Sequence, residues 1–244
     1  MNIDERRNRI VELLDKYPYL TAEEAAEYLD ISIATIRRDF IQLEKENRII
    51  RFHGGIKKAE ATVSDNNNFQ NRSLENRDSK IKIARYAAKL IKDNDIIFVD
   101  ASSTVYYLAD YISAKNIQLF TNSIYQADRF IRCGFGPYFI GGITMPDGYT
   151  YSADTIAKLQ SIHFDKTFLG ASCISRDRGL TTITLIDQSI KSIVIAQSSE
   201  VYTLADSTKF NQNAPYTYAG INDTTIITDR EFENIDLYPN CIVI

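Results

Sequence analysis

The amino-terminal part of the chain places apolar side chains three to four positions apart, which is the spacing of one face of an α-helix. The pattern recurs in three short runs: around Ile10, in TAEEAAEYL and in SIATIRRDFIQLEKEN. Thr21 and Glu24 form the pattern of a capping box at the start of the second run, and Ser32 is a natural N-cap for the third. Three short helices are therefore predicted.

A short strand-like stretch follows these helices. RIIRFHGGIKK is rich in β-branched and aromatic residues and is interrupted by Gly54 and Gly55, which favour a tight turn. A small hairpin turning at this glycine pair is predicted. Three helices followed by a hairpin are typical of a winged helix-turn-helix, and we expect this domain to span residues 1–58.

The next segment is polar and separates two differently patterned regions. VSDNNNFQNRSLENRDS, which begins at Val63, is rich in Asn, Ser and Asp and has few apolar side chains. Residues 59–78 are therefore predicted to be an interdomain linker. Two interpretations stay open for its apolar residues Phe69 and Leu74: docking on a neighbouring domain, or exposure in a free linker.

Strand-like and helix-like runs alternate from the linker to the end of the sequence. The predicted helices are KIKIARYAAKLI, STVYYLADYI, SIYQADRFI and DQSIKSIVIAQSS, and the predicted strands are DIIFVD, IQLFTN, YFIGG, DKTFLGAS, VYTLAD, TTIITD and CIVI. Such alternation predicts βα units and a mostly parallel sheet with flanking helices. The predicted fold class is thus α+β with two domains: the winged helix-turn-helix, followed by an α/β domain over residues 79–244.

Composition narrows the location and the chemistry. The 244 residues are 44% hydrophobic and 25% charged, which is ordinary globular composition. The first residues lack the apolar core of a signal peptide and no apolar run is long enough to span a bilayer, so we expect a cytoplasmic protein that does not enter the membrane. Cys133, Cys173 and Cys241 have neither disulfide nor zinc spacing, so neither a disulfide framework nor a zinc site is expected. We also expect no other metal and no cofactor.

The net charge of -4 hides an uneven distribution of charged side chains. Residues 1–30 contain four basic and eight acidic side chains, whereas residues 31–58 contain seven basic and three acidic ones. A local basic surface suits the phosphate backbone of DNA. The third helix and the hairpin are therefore the predicted DNA-binding surface.

The third predicted helix has the two faces that a recognition helix needs. With Ile36, Phe40 and Leu43 buried, helix geometry turns Ala34 and Arg38 away from the core. Arginine can donate two hydrogen bonds to guanine, and hydroxyl and basic side chains can bind phosphate. The predicted DNA contacts are Ser32, Ala34, Thr35, Arg37, Arg38, Arg51, His53 and Lys57.

An ordinary exposed helix is the alternative for the two arginines. In that interpretation Arg37 and Arg38 are solvated and pair with Asp39 and Glu44. The succession of capping box, turn, second N-cap, amphipathic helix and glycine-containing hairpin favours the DNA-binding interpretation.

Small polar side chains follow several of the predicted strands. In DIIFVDASSTVYYL the strand ends at Asp100, and a turn of hydroxyl residues opens the next helix, where backbone N–H groups and the helix dipole attract anions. Ligands of open α/β sheets bind at the carboxyl ends of the strands, although a plain capped turn is the alternative here. The predicted effector-binding residues are Asp100, Ser102, Ser103, Thr104, Thr121, Asn122, Gly141, Gly142, Gly170, Lys191, Asp206 and Lys209.

Two groups of motifs resemble one protein family. TIRRD at residues 35–39 and HGG at residues 53–55 resemble the winged helix-turn-helix of DeoR-type regulators. DASST at 100–104, TN at 121–122, GG at 141–142 and DSTKF at 206–210 resemble, in order, the effector domain of the same regulators. The resemblance implies a second domain similar to ribose-5-phosphate isomerase, and a repressor of carbohydrate-metabolism genes. The partners that it implies are double-stranded operator DNA and a phosphorylated sugar.

The sequence departs from the family pattern at three places. Ser102 stands where the family loop has glycine, Cys173 stands where a glycine often follows FLGAS, and residues 152–154 lack a glycine that is common there. Each departure adds a side chain near the predicted pocket. A side chain at position 102 would narrow it.

These inferences favour a ligand-responsive regulator that is not an enzyme, and two alternatives stay open. A phosphosugar isomerase or deaminase would use Asp100 or Asp206 as a base, but neither His53 nor His163 falls in the predicted ligand loops. A constitutive DNA-binding protein with a degenerate sensor would follow if Ser102 disables the pocket. Symmetric operators require paired recognition helices, so we expect a homodimer or a homotetramer.

Overall fold

The fold is taken from a computed structural model, which describes residues 3–14, 17, 19–45, 48–52, 54–58 and 69–244. The chain divides into two compact units, Met1–Asn67 and Asn68–Ile244. Each unit has its own hydrophobic core.

The first unit consists of helices followed by a hairpin. Its described elements are α1 (Ile3–Leu13), α2 (Ala22–Leu29), α3 (Ile33–Lys45), β1 (Ile49–Phe52) and β2 (Gly55–Lys58). The two strands pair antiparallel, with Phe52 opposite Gly55. The predicted winged helix-turn-helix order is confirmed.

Local hydrogen bonds define where α2 and α3 begin. The Thr21 hydroxyl accepts a hydrogen bond from the N–H of Glu24 at 3.1 Å, and the Glu24 carboxylate accepts one from the N–H of Thr21 at 2.8 Å. Asp30 ends α2 in the left-handed region at φ 53. Ser32 Oγ then accepts a hydrogen bond from the N–H of Thr35 at 3.3 Å, which satisfies a donor in the first turn of α3.

The core of this unit draws on every element. Its buried side chains are Ile10, Leu14, Leu20, Ala25, Ile36, Phe40, Leu43, Ile49 and Ile56. Leu20 and Ile56 exchange two backbone hydrogen bonds of 2.8 Å, and a Cβ on Gly55 would lie 2.5 Å from the carbonyl oxygen of Leu20. Gly55 thus lies in β2 at a point where the backbone of Leu20 passes too close for a side chain. Gly54, at φ +121, is the glycine in the turn.

The second unit alternates helices and strands. Its α-helices are α4 (Phe69–Leu74), α5 (Arg77–Ala88), α6 (Ile124–Arg132), α7 (Ala153–Gln160) and α8 (Leu185–Ala196). Its strands are β3 (Ile96–Val99), β4 (Gln118–Thr121), β5 (Tyr138–Phe139), β6 (Ile143–Thr144), β7 (Thr150–Tyr151), β8 (Phe164–Gly170), β9 (Cys173–Ser175), β10 (Gly179–Thr182), β11 (Ser198–Leu204), β12 (Tyr216–Ala219), β13 (Thr225–Thr228) and β14 (Cys241–Val243). Short 3-10 helices span Val105–Asp110, Ser207–Lys209 and Ile235–Leu237.

The main sheet within residues 69–244 is entirely parallel. Its strands run in the order β14-β13-β11-β8-β3-β4-β5. Apolar side chains of α5 pack against one face, and those of α7 and α8 pack against the other. Because all of these strands point the same way, their carboxyl ends meet at one edge, which we call the carboxyl edge of the sheet. A three-stranded antiparallel sheet, β12-β10-β9, and the hairpin β6-β7 complete the unit.

The predicted linker, residues 59–78, differs from the structure in its second half. Residues 69–74 form α4, and α5 begins at Arg77. Phe69 is buried because its ring stacks on Tyr125 at 4.3 Å and meets Tyr106 edge-on at 5.2 Å. Leu74 stays exposed. One of the two apolar residues therefore docks, and it draws this segment into the second unit.

The run STVYYLADYI also differs from its prediction as an ordinary α-helix. Residues Val105–Asp110 form a 3-10 helix, which is wound more tightly. Val105, Leu108 and Ala109 are buried in this conformation and join the same core as the inner face of α5. Tertiary packing thus selects the tighter form.

Candidate functional site

Helix α3 carries four of the eight predicted DNA contacts. Ala34, Arg37 and Arg38 are exposed, and Thr35 is half-buried. Arg37 forms an ion pair with Glu23 at 3.1 Å, with both side chains largely solvated. Within the described ranges, Arg38 has no hydrogen-bond or ion-pair partner, so its guanidinium is free to bind another molecule.

The carboxylate of Asp39 pairs with arginines of α1 and not with the arginines of its own helix, as the exposed-helix alternative required. It is buried on α3, accepts hydrogen bonds from Arg6 at 2.6 Å and 3.2 Å, and accepts one from Arg7 at 3.2 Å. Asp39 therefore fastens α3 to α1 and is not a partner of Arg37 or Arg38. Glu44 pairs with Arg51 at 3.1 Å.

The hairpin presents further basic groups. Arg51 lies on β1 with its side chain 44% exposed, and Lys57 is exposed on β2. His53, which was also predicted to bind DNA, lies outside the described residues. Helix α3 and this hairpin together form the candidate nucleic-acid interface, with Ser32 at the amino-terminal end of the helix.

A buried ionic cluster lies at the carboxyl edge of the sheet in the second unit. Asp100, directly after β3, accepts hydrogen bonds of 2.9 Å from the N–H groups of Ser102 and Gly170. The Nζ atom of Lys191 lies 3.0 Å from both Asp100 and Asp187, and it donates to the carbonyl oxygen of Gly170 at 2.9 Å. These contacts use all three hydrogens of the Lys191 ammonium. The geometry therefore favours support of the loops by Lys191 over the direct effector contact that we expected.

Each charged group in this cluster favours the ionised form of its partner. Burial raises the pKa of Asp100, and Lys191 opposes that rise. Burial lowers the pKa of Lys191, but attraction by Asp100 and Asp187 outweighs it, so the pKa of Lys191 lies above its ordinary value. Since an ammonium and two N–H donors surround the carboxylate, we treat Asp100 and Lys191 as a charged pair.

The loop after β3 packs directly against the end of β8. A Cβ on Gly170 would lie 2.2 Å from Ser102 Oγ and 2.5 Å from Ser102 Cβ. Ser102 Oγ accepts a hydrogen bond from the N–H of Thr104 at 3.1 Å, and its carbonyl oxygen accepts one from buried Gln126 at 2.8 Å. The serine in this loop thus occupies the space that Gly170 leaves open.

The next two strand ends use their small polar groups mainly for internal contacts. Thr121 Oγ1 accepts a hydrogen bond from the N–H of Ser123 at 3.1 Å, and the Asn122 amide donates to the carbonyl oxygen of Thr150 at 3.0 Å. Gly141 and Gly142 are exposed, and Gly141 accepts a hydrogen bond from Thr155 at 2.7 Å. These contacts hold the β6-β7 hairpin and the start of α7 beside the carboxyl edge.

The loop after β11 brings a partly unsatisfied carboxylate to the same edge. Asp206 is buried, and its Oδ1 atom accepts hydrogen bonds from Asn76 at 3.3 Å and from the N–H of Thr208 at 3.1 Å. Its Oδ2 atom is buried without a hydrogen-bond partner in the described part of the chain. Lys209 directly follows Thr208 in the same DSTKF motif and is half-buried, and its ammonium group has no hydrogen-bond or ion-pair partner within the described residues.

Two basic residues at this edge were missed by the sequence analysis. Lys80 on α5 is buried and donates a hydrogen bond to Ser103 Oγ at 3.1 Å and another to the carbonyl oxygen of Arg72. Arg72 on α4 lies within the predicted linker. Lys80 was detectable in principle, because it shares a helix face with buried Ile83 and Ala84. No comparable apolar pattern in the sequence pointed to Arg72.

Comparison with known proteins identifies both units. A DeoR-like helix-turn-helix domain matches residues 6–62, and a DeoR C terminal sensor domain matches residues 75–230. The chain is 35% identical over 231 residues to the HTH-type transcriptional repressor GlcR of Bacillus subtilis (strain 168), covering 93% of this chain and 88% of the relative. It is 26% identical to the lactose phosphotransferase system repressor of Staphylococcus aureus (strain N315), covering 96% and 94% respectively. The chain belongs to the DeoR family.

This DeoR-family transcriptional regulator also has solved structural neighbours. A ribose 5-phosphate isomerase from Plasmodium falciparum aligns with a TM-score of 0.41 at 19% identity, covering 55% of this chain and 53% of that one. The parallel sheet with helices on both faces confirms the α/β class that the sequence predicted for the sensor domain.

The remaining departures from the family pattern have local roles. Ser152 caps α7, since its Oγ accepts a hydrogen bond from the N–H of Thr155 at 3.1 Å. Cys173 is half-buried on β9, and burial raises the pKa of its thiol. Within the described ranges, no helix of this regulator is long and apolar enough to cross a membrane, and no cluster of His, Cys, Asp or Glu is arranged to hold a metal ion.

The titration of Lys80 is expected to make the stability of the regulator depend on alkaline pH. Burial lowers the pKa of Lys80 from 10.5 to about 8. Between these values the folded state binds fewer protons than the unfolded state, so the free energy of unfolding rises with pH in this window. Below about pH 8 the lysine is protonated in both states, and its burial then lowers the free energy of unfolding the most. Urea unfolding at about pH 7 and about pH 9.5 gives the free energy of unfolding of the wild type and of Lys80→Met. The wild-type value minus the Lys80→Met value should be larger at the higher pH by about 1 kcal/mol or more. A difference that does not change with pH contradicts this expectation.

Proposed function

We propose that this chain represses carbohydrate-metabolism genes by binding operator DNA as a homodimer or homotetramer, and that a phosphorylated sugar modulates this binding. The observation that carries the DNA-binding part is the exposed Arg38, which is unpaired among the described residues, on a helix that is anchored through Asp39. A rigid helix with a free guanidinium suits direct contact with base edges in the major groove. Repression is supported by the two relatives, each of which is named a repressor.

The effector part of the proposal is supported by the carboxyl edge of the sheet. Ser103, Asp206 and Lys209 offer hydroxyl, carboxylate and ammonium groups there, as a phosphorylated and hydroxylated ligand requires. The relative that is named a lactose phosphotransferase system repressor makes a sugar-derived ligand the natural class. An effector can alter operator affinity only if it binds one arrangement of the protein more tightly than another.

An enzymatic role finds less support in the same geometry. Both carboxylate oxygens of Asp100 accept hydrogen bonds and one also pairs with Lys191, so they are committed to structural contacts. One oxygen of Asp206 has no hydrogen-bond partner in the described part of the chain, which suits hydrogen bonding to a ligand hydroxyl. Release of a product from ribose 5-phosphate, glucose 6-phosphate or fructose 1-phosphate by the purified protein would favour the isomerase or deaminase alternative.

Arg38→Ala is expected to weaken operator binding by about ten- to a hundredfold, because a specific arginine contact to a base contributes on the order of 1 to 3 kcal/mol. The operator is first selected from a random DNA library with the wild-type protein, and affinities are then measured by fluorescence anisotropy at one fixed salt concentration. Arg9→Ala is the matched control, since it removes the same charge from an exposed position on α1. Equal affinities of Arg38→Ala and Arg9→Ala would refute the assignment of α3 as the recognition helix.

A further inference from the structure

We propose that a second copy of this chain binds to the outer side of β5, through an apolar surface that β5, α6 and β6 form together. We call this surface the β5 edge patch, and its exposed apolar residues are Ile124, Ile131, Tyr138, Phe139 and Ile143. The inference rests on the proposed function, which requires paired recognition helices, and it specifies the surface through which two copies pair.

The first observation is an apolar stripe on the outer side of α6. Ile124 and Ile131 lie two helical turns apart on the same side, with half-buried Ala127 between them. Gln126 and Phe130, on the inner side of the helix, are buried. A helix with a buried inner side normally carries polar residues on its outer side. The stripe on α6 is therefore apolar where contact with water alone does not require it.

The second observation is the composition of the sheet edge beside this helix. Strand β5 pairs with β4, and no described strand pairs with its other side. Tyr138 stacks on the Phe120 ring at 4.7 Å, whereas Phe139 lies on the opposite face of the sheet, and both remain exposed. Edge strands are commonly protected by charged side chains, and β5 has none. Since β5 is only two residues long and follows Pro137, we expect side chains and not strand pairing to make the contact.

The β6-β7 hairpin continues the patch beyond the start of α6. The N–H of Ile124 donates a hydrogen bond to the carbonyl oxygen of Gly148 at 2.8 Å, and Ser123 forms a β-bridge with Tyr149. Ile143 on β6 is 71% exposed, the largest exposed fraction among the described large apolar side chains. The helix, the edge strand and the hairpin thus present apolar groups from one connected part of the second unit.

The size of the patch fits a protein partner. The exposed parts of its five large side chains amount to on the order of 500 Å² of apolar surface. That area is near the upper end for the largest apolar patch of a monomeric protein. It also matches the apolar share of a standard interface, which buries about 800 Å² on each partner.

The charges around the patch favour a second copy over DNA. The charged side chains of Ile124–Thr144 are Asp128, Arg129 and Arg132. Arg129 pairs with Asp110 at 2.5 Å, and Arg132 pairs with Asp128 at 2.8 Å. Paired charges offer little to a phosphate backbone, and they do not repel an identical surface. A two-fold contact places the same surface on both partners, which an uncharged apolar patch permits.

The test measures the association of the full-length wild type, Ile131→Glu and Leu185→Glu by sedimentation velocity over a range of concentrations. Ile131 is 61% exposed and Leu185, in the first turn of α8, is 60% exposed, so the two variants place the same charge at equally accessible helical positions. We expect Ile131→Glu to raise the dissociation constant of the dimer by about tenfold or more, because two carboxylates would be buried in an apolar contact. Leu185→Glu should leave the constant unchanged. Far-UV circular dichroism checks that both variants fold.

A second measurement responds only to contact between identical surfaces. Ile131→Lys alone should dissociate as Ile131→Glu does, since each places like charges in both halves of the contact. An equal mixture of the two variants brings opposite charges together, so native mass spectrometry should detect the mixed dimer in excess over either homodimer. A structural defect at position 131 would not be repaired by mixing.

The outcomes separate this inference from the proposed function. If the wild type associates and Ile131→Glu associates equally tightly, the homo-oligomer stands and the β5 edge patch is refuted as its interface. The patch is also refuted if Leu185→Glu dissociates the protein as strongly as Ile131→Glu, or if mixing produces no excess of the mixed dimer. If the wild type stays monomeric at every concentration, with and without operator DNA, both the interface and the proposed homo-oligomer are refuted.

Discussion

Lys191→Met is expected to lower the free energy of unfolding of the second unit by about 3 to 5 kcal/mol. The substitution retains the length of the side chain but leaves Asp100 buried without its cation, and it removes one of the two hydrogen-bond donors to the Gly170 carbonyl oxygen, the other being the Tyr218 hydroxyl. An unpaired buried carboxylate is among the most costly defects in a folded protein. Urea unfolding followed by circular dichroism measures the effect. Lys158→Met, at an exposed position on α7, is the control and should change stability little.

A double-mutant cycle distinguishes loss of the ion pair from loss of packing. Asp100→Asn combined with Lys191→Met removes both charges, so the double variant should be more stable than the sum of the two single effects indicates. Strict additivity, or a loss of less than about 1 kcal/mol in Lys191→Met, would mean that this cluster does not hold the carboxyl edge together.

Gly170→Ala is expected to destabilise the second unit by about 1 to 3 kcal/mol and to weaken effector binding, because its Cβ would overlap Ser102. The same overlap predicts a rescue. Ser102→Gly, which introduces the residue typical of the family at this position, removes both overlapping atoms, so the double variant should recover most of the lost stability. The measurement is urea unfolding of the four proteins, with effector titration as a second readout.

Gly136→Ala is the matched control for this series, since nothing lies within 4 Å of the Cβ it would add. Failure of Ser102→Gly to rescue Gly170→Ala would show that the two positions do not compensate each other. Rescue would support the interpretation that the Ser102 side chain fills the space that the absent side chain of Gly170 leaves open.

The first unit was largely predictable because its determinants are local. The capping box of Thr21 and Glu24, the N-cap at Ser32 and the apolar stripe of α3 act within one or two helical turns. The partner of Asp39 was not predictable, because Arg6 lies 33 residues away and any of several basic side chains offered an equally plausible ion pair. Periodicity identifies a buried face but not the partner of a charge on it.

In the second unit, the amino-acid sequence by itself determined the alternation of strands and helices and the small polar residues at the strand ends, since these depend on local periodicity and turn chemistry. Tertiary structure alone decided that Phe69 draws α4 out of the predicted linker and that Arg72 and Lys80 reach the carboxyl edge. It also decided that Lys191 faces inward to Asp100. The physical reason is that charge partners and ring contacts depend on distances between segments far apart in the chain, which only packing of the whole unit specifies.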